Sequence, residues 1–190
     1  MSALPGGDRE ADFDRVLVAA REGDEVAFTA LFRAVQPLLL RYLRTLIGND
    51  AEDVASETWV QVVRGLDRFS GGEAGFRGWV FTIAHGRSVD VWRARSRRPE
   101  TLSERLPDTS DGTDVAAVVE EIFTTEAALA LIRQLPPTQA QVLLLRVVAG
   151  LDVGTTATIL GRTPNHIRVL SHRGLRTLAT FLGRQRSLLL

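Results

Sequence analysis

The sequence predicts an all-α protein: two small helical domains joined by a flexible acidic linker, the C-terminal one a helix-turn-helix. Three observations carry this. Apolar residues recur at helical spacing through most of the 190 residues, and no run alternates as a half-buried strand does. The segment 99–118, PETLSERLPDTSDGTDVAAV, mixes prolines, a glycine and small polar residues, the composition of a linker. A glycine turn between two short, cappable helices lies within 150–178. The chain therefore divides into 1–98, a linker at 99–118, and 119–190.

Each element follows in order. A first helix covers about 12–22. The stretch AFTALFRAVQPLLLRYLRTLI gives a second over about 25–47, which Pro37 is expected to kink or interrupt. Gly48 and Asn49 end it, and Asp50 is placed to cap the next. That third helix, 51–66, carries Ala55, Trp59, Val62, Val63 and Leu66 at core spacing, with Asp53, Glu57, Gln61 and Arg64 on the opposite stripe. Residues 70–78, SGGEAGFRG, read as a glycine-rich loop, and a long helix follows over 79–97. On that helix Trp79, Thr82, Gly86, Asp90, Arg93 and Arg97 share one side. The C-terminal part has helices near 120–134, 137–148, 153–160 and 164–182. The closing Leu188, Leu189 and Leu190 are too short for an anchor and read as a frayed or docked terminus.

The sharpest local signal is GLDVGTTATILGRTPNHIRVLSHRGLRTL. Asp152 can cap a short helix that buries Val153, Ala157 and Leu160, and Gly161 supplies the left-handed residue at its end. Thr163 can cap the next helix, and Pro164 fits its first position, where a missing N–H costs nothing. Ile167, Leu170, Gly174 and Leu178 then face inward, while Asn165, Arg168, Val169, His172 and Arg176 share the other side. Asparagine, arginine and a small apolar group suit base edges in a major groove. The same pattern also fits an ordinary helical hairpin with a solvated basic face.

Composition excludes several chemistries. The 190-residue chain has no cysteine and no lysine, so disulfides, thiolate zinc sites, Schiff-base lysines and Gly-Lys phosphate loops are absent. The three histidines, His85, His166 and His172, include no pair at the four-residue spacing of a helical metal site. With no nucleophile–base pair either, the chain is read as no enzyme, with no cofactor and no metal. No unbroken apolar stretch reaches the roughly 18 residues of a membrane span, and the acidic N-terminus does not read as a secretory signal. The lack of cysteine suits the cytoplasm. The net charge of zero is a cancellation: 77–98 carries +5, 99–124 carries −6 and 153–190 carries +6. Two basic segments around an acidic one are the footprint of a polyanion partner, although solvated helix surface would look alike.

Four colinear stretches, beginning at AREGDEVAFTALF (20–32), DAEDVASETWVQ (50–61), FRGWVFTIAHGR (76–87) and QLPPTQAQVLLL (134–145), together resemble the extracytoplasmic-function (group IV) sigma factors of bacterial RNA polymerase. AREGDEVAFTALF (20–32) and DAEDVASETWVQVVRGLDRF (50–69) resemble the polymerase-binding domain. FRGWVFTIAHGRSVDVWRARSRR (76–98) resembles the segment that melts and reads the −10 promoter element, and QLPPTQAQVLLLRVVAGL (134–151) with the helix-turn-helix resembles the −35 reader. The resemblance implies that 1–98 is the region 2 domain and 119–190 the region 4 domain. It places Asp53, Glu57 and Gln61 on the clamp helices of the polymerase's largest subunit. It assigns Phe76, Arg77, Trp79, His85, Arg93 and Arg97 to the −10 element, where aromatic platforms and arginines would hold unstacked bases. It assigns Thr163, Asn165, His166, Arg168, Val169, His172, Arg173 and Arg176 to the −35 element, beside the polymerase's upstream-DNA flap. Promoter DNA and core polymerase are the implied partners, with room for an anti-sigma factor and no membrane insertion.

The chain departs from the family pattern at several places. His85-Gly86 stands for Arg-Asn, Ser56 for a glutamine, Leu170 for an arginine, and Gly154-Thr155-Thr156 for acids. These put base preference in question. No further C-terminal domain is expected. The competing reading is a stand-alone dimeric helix-turn-helix regulator, which would footprint two half-sites about one helical turn apart.

Overall fold

Capping sets where the N-terminal helices begin and end. The computed structural model describes residues 6–97 and 126–188, with side chains over 11–95 and 126–182. Helix α1 (Gly6–Arg21) turns into α2 (Glu25–Ile47) at Gly23, whose φ of +91° suits glycine. The Asp24 carboxylate accepts the Ala27 N–H at 2.8 Å and caps α2. Helix α2 runs through Pro37 unbroken, contrary to the expected interruption. Leu31 and Val35 before the proline, and Leu39, Tyr42, Leu43 and Ile47 after it, are all buried. Burial of each such side chain is worth about 1.5–3 kcal/mol, enough to offset the missing backbone bond.

A 3₁₀ turn at Gly48–Asp50 leads into α3 (Ala51–Gly65). Asp50 does not cap α3; its carboxylate pairs with Arg95 at 2.7 Å instead. Trp59 is buried against Phe28 and Phe32, and its indole N–H donates to Gln36 Oε1 at 2.6 Å. Val63, expected in the core, is 56% exposed. A second 3₁₀ turn, Leu66–Arg68, is held by Arg21, which donates to the carbonyls of Leu66 and Phe69.

Helix α4 (Glu73–Arg97) absorbs most of the expected glycine-rich loop. The reason is tertiary. Phe76 sits within 6 Å of the rings of Phe13, Phe69 and Trp79, and this aromatic cluster fixes a first turn that its glycines disfavour.

The C-terminal unit comprises α5 (Glu126–Arg133), α6 (Pro137–Leu143), a π-helical turn (Leu144–Val148), α7 (Val153–Leu160) and α8 (Pro164–Leu188). No strand occurs among the described residues. The linker 99–118, Arg98, the start of the expected 120–134 helix, Leu189 and Leu190 lie outside the described residues. The two units do not stand apart. Helix α2 packs on α5 and on the π-turn, and α4 packs on α7. One apolar core runs from Leu39 and Leu43 through Phe81 to Ile132, Leu145 and Val148. A smaller cluster, Val142, Ala157, Ile167 and Leu170, closes the helix-turn-helix. A window within 25–68 is apolar enough on average to cross a membrane by length and composition, although Arg33, Arg41 and Arg44 break the apolar run there. The 25–68 span is no single helix but α2, a 3₁₀ turn, α3 and a second 3₁₀ turn, and Leu31, Val35, Leu39, Tyr42, Leu43, Ile47, Val54, Trp59 and Val62 within it belong to this core.

Candidate nucleic-acid and protein interfaces

The helix-turn-helix forms as its local chemistry dictates. Asp152 caps α7 by accepting the Thr155 N–H at 2.9 Å. It also accepts the Thr155 hydroxyl at 2.5 Å, and these bonds, the hydroxyl first, hold its carboxyl below the usual aspartate range. Thr156 is buried and satisfies its hydroxyl on the Asp152 carbonyl at 2.8 Å. Two of the unusual Gly154-Thr155-Thr156 residues thus serve the helix start. Gly161 ends α7 in the left-handed region at φ +59°, and the Arg162 N–H closes the turn on the Ala157 carbonyl. The Thr163 hydroxyl accepts the His166 N–H at 3.3 Å as α8 begins.

Helix α8 divides cleanly. Ile167, Leu170, Gly174 and Leu178 face inward. A Cβ at Gly174 would lie 3.0 Å from Leu143 Cδ1, so this glycine lets α8 approach α6. Leu170 is 9% exposed, which explains why it replaces a polar reader: here it is core. Thr163, Asn165, His166, Arg168, Val169, His172, Arg173 and Arg176 are all exposed. Among the described residues, none of Arg162, Arg168, Arg173 and Arg176 has an ion-pair partner. The side presents unpaired positive charge beside hydrogen-bonding and small apolar groups.

The candidate residues of α4 are differently placed. Phe76 is 1% exposed inside the aromatic cluster, where its ring is part of the core. Trp79 stacks on Phe69 with centroids 5.1 Å apart, and Gly65 lies against its ring, so one face of its indole is occupied from within. Arg77 bonds Glu73 at 2.8 Å and reaches toward the other unit, 3.1 Å from where a Cβ on Gly150 would sit. His85 Nδ1 lies 3.0 Å from the Tyr42 hydroxyl. Burial lowers the His85 pKa and pushes the Tyr42 phenol up, so both are neutral at pH 7. Arg93 is exposed, 3.8 Å from Asp90. Arg97 belongs to α4, but its side chain lies outside those described.

A cavity of about 330 Å³ opens beside His85, bounded by Trp92 and Arg93 on α4, Leu46 on α2 and Gln141 on α6. Trp92 is 49% exposed. No sequence signal joins Gln141 to α4; only the packing of the two units does.

On α3, Asp53 and Glu57 are exposed and Gln61 is half-buried, one turn apart along one stripe. Arg87 of α4 reaches Glu57 at 3.7 Å, a pairing that sequence spacing misses because it crosses two helices. Exposed Val60 and Val63 flank the stripe and give it an apolar border. Among the described residues, no group of three acidic or imidazole side chains is close enough to hold a metal.

Comparison with known proteins bears on both units. The Sigma-70 region 2 family matches residues 31–98, and the Sigma-70 region 4 family matches 125–178. The ECF RNA polymerase sigma factor ShbA of Streptomyces griseus is 34% identical over 168 residues, covering 82% of this chain and 87% of ShbA. The ECF RNA polymerase sigma factor SigD of Mycobacterium tuberculosis is 30% identical over 174 residues, covering 87% of this chain and 81% of SigD. Among solved structures, CnrH in complex with the cytosolic domain of CnrY superposes with a TM-score of 0.60 at 20% identity, over 90% of this chain and 97% of that one.

Proposed function

We propose, because this chain belongs to the extracytoplasmic-function sigma factors of RNA polymerase, a division of labour between its two units. Residues 1–98 dock on core polymerase and open the −10 element. Residues 119–190 read the −35 element, and 99–118 connects them. The observation that carries the reading is the outward side of α8, exposed and unpaired in a helix whose inward side is fully committed to packing.

In this reading Asn165 and Arg168, early in the helix, lie deepest in the major groove and carry sequence information. Arg173 and Arg176 approach phosphates and add affinity without preference. Asp53, Glu57 and Gln61 meet a basic partner surface, where acidic side chains set register and speed encounter. Arg93 and Arg97 hold backbone phosphates as strands part, and Arg77, His85 and Trp79 border the unstacked bases. The protein works as an initiation factor rather than an enzyme, in the cytoplasm beside the polymerase. Core polymerase, promoter DNA and an anti-sigma factor are its partners.

Run-off transcription with core polymerase on a genomic promoter library tests this. The expected result is promoter-selective transcripts that share two elements and vanish without core. A pure chain that footprints two duplex half-sites alone would instead favour a dimeric regulator.

A further inference from the structure

Tyr42 is fully buried on α2, and its ring is held edge-on by Phe81 with centroids 5.4 Å apart. Among the described residues its hydroxyl has one hydrogen-bonding neighbour, His85 Nδ1 on α4, at 3.0 Å. Two arrangements fit that distance. If Nδ1 carried the ring proton, the phenol oxygen would accept it, and the hydroxyl's own proton would be stranded in an apolar core at high cost. The phenol therefore donates and Nδ1 accepts. Burial, which lowers the His85 pKa, keeps the imidazole neutral, so its single proton sits on Nε2.

With Nδ1 turned into the core, the opposite edge of the ring faces outward. Among the described residues the enclosed side-chain atoms without a partner are Arg133 Nε, Gln139 Oε1 and Ser171 Oγ. His85 Nε2 is not one of them, and no described protein group bonds it, so its N–H opens on the cavity of about 330 Å³. The surface beside it is clear, since a Cβ at Gly86 would meet nothing within 4 Å. The rest of the α4 wall adds donors rather than acceptors. Arg93 and Trp92 carry only N–H groups, and Ser88 is buried with its hydroxyl donated to the Ala84 carbonyl at 2.8 Å.

We propose that Tyr42 is a positioning residue that fixes His85 as a hydrogen-bond donor, and that His85 thereby selects the base at one position of the −10 element. The base selected carries a keto oxygen on its major-groove edge, O4 of thymine or O6 of guanine; the base rejected carries an amine there, N6 of adenine or N4 of cytosine. The proposal rests on the reading of α4 as the −10 helix. A keto oxygen accepts the Nε2 proton, whereas an amine sets N–H against N–H and leaves the donor unpaired. One neutral hydrogen bond supports roughly 3- to 10-fold preference. The selectivity then belongs to a pair of residues 43 apart in sequence, of which only His85 reaches the DNA.

Two measurements test this. In nitrogen NMR of the full-length protein with isotopically labelled histidines, His85 should show a bare Nδ1 and a protonated Nε2 at neutral pH. His85→Gln identifies its signals among the three histidines. Tyr42→Phe, which removes only the hydroxyl, should shift the Nδ1 signal. In run-off transcription with core polymerase, on promoters varied base by base across the −10 element, the parent should favour thymine or guanine at one position by roughly 3- to 10-fold. His85→Gln should alter that position, and Tyr42→Phe should bring its preference below about twofold while the profile elsewhere stays the same. A protonated Nδ1 in the parent overturns the proposal without any variant, even where Tyr42→Phe loses its fold. A keto preference that survives Tyr42→Phe, an amine-bearing base preferred at the position His85→Gln alters, or no position altered by His85→Gln would each overturn it as well. A parent chain that directs no promoter-selective transcription would instead remove the −10 reading beneath it, and the NMR would still report the tautomer.

Discussion

Helices α4 and α8 are both 25 residues long and both carry an arginine-rich side that sequence patterning assigns to DNA, yet they stand in opposite conditions. On α8 the outward residues are exposed, and among the described residues Arg168, Arg173 and Arg176 have no ion-pair partner. On α4 Phe76 is core, Trp79 lies on Phe69, His85 is bonded to Tyr42, and Arg77 is held between Glu73 and Gly150. A helix that reads intact duplex needs only a rigid, accessible edge. One that receives unstacked bases needs aromatic and cationic groups that would attract non-specific partners if left open. The readiness of α8 and the engagement of α4 fit that difference in substrate.

The largest effect that could break the comparison is at Phe76. If it belongs to the core, Phe76→Ala should cost about 3–5 kcal/mol of unfolding free energy, read by urea titration. Arg168→Ala should change stability by less than about 0.5 kcal/mol. A Phe76 variant as stable as the parent would return that residue to the DNA side.

Next comes α8. Arg168→Ala in holoenzyme should flatten preference at one or two −35 positions, a loss of about 1–3 kcal/mol, or roughly 5- to 150-fold discrimination. Arg176→Ala should lower output on every promoter alike. Matching position-specific profiles from both variants would show that the outward side is wrongly partitioned.

A smaller effect is expected on α3. Asp53→Arg/Glu57→Arg should weaken co-purification with core polymerase by about tenfold, near 1.4 kcal/mol. The free protein should keep its helical circular dichroism, because the Glu57–Arg87 contact at 3.7 Å is a surface pair worth at most about 1 kcal/mol. Undiminished core binding would move the docking surface elsewhere.

The smallest effect is a pH dependence on α4. Burial lowers the folded pKa of His85 below its unfolded value of about 6.5. Below that pH the unfolded chain takes up a proton that the folded chain resists. Stability is therefore full above about pH 6.5 and declines as pH falls toward the lowered folded value. His85→Gln should flatten this limb of the stability curve measured between pH 7 and 5. An identical slope in the variant would detach the dependence from His85.

The helix-turn-helix was legible because its determinants are local. Asp152, Gly161, Thr163 and Pro164 act within four residues of themselves, and each lies where its chemistry indicates. The inward and outward sides of α8 follow from periodicity alone. Elements fixed from a distance were not legible. Helix α4 begins at Glu73 because Phe13 and Phe69 hold Phe76, and the intervening glycines hide a helix start from any local reading. Asp50 looked like a cap, but Arg95, 45 residues on, takes its carboxylate. The packing of the two units had no signal, because linker composition reports a boundary and says nothing of what the boundary joins.

The partition of α8 has a consequence for how such a protein diversifies. Ile167, Leu170, Gly174 and Leu178 are buried and set the pose of the helix, while Asn165, Arg168, Val169 and His172 are exposed. If the outward set reads promoter bases as proposed, substitutions there leave the packing untouched, so duplicated copies of the gene could drift to new promoter alphabets without passing through unfolded intermediates. Leu170 marks the limit of that freedom. Having been given to the interior, it fixes which positions remain available as letters, and a lineage that inherits it must write its recognition code with the neighbouring residues.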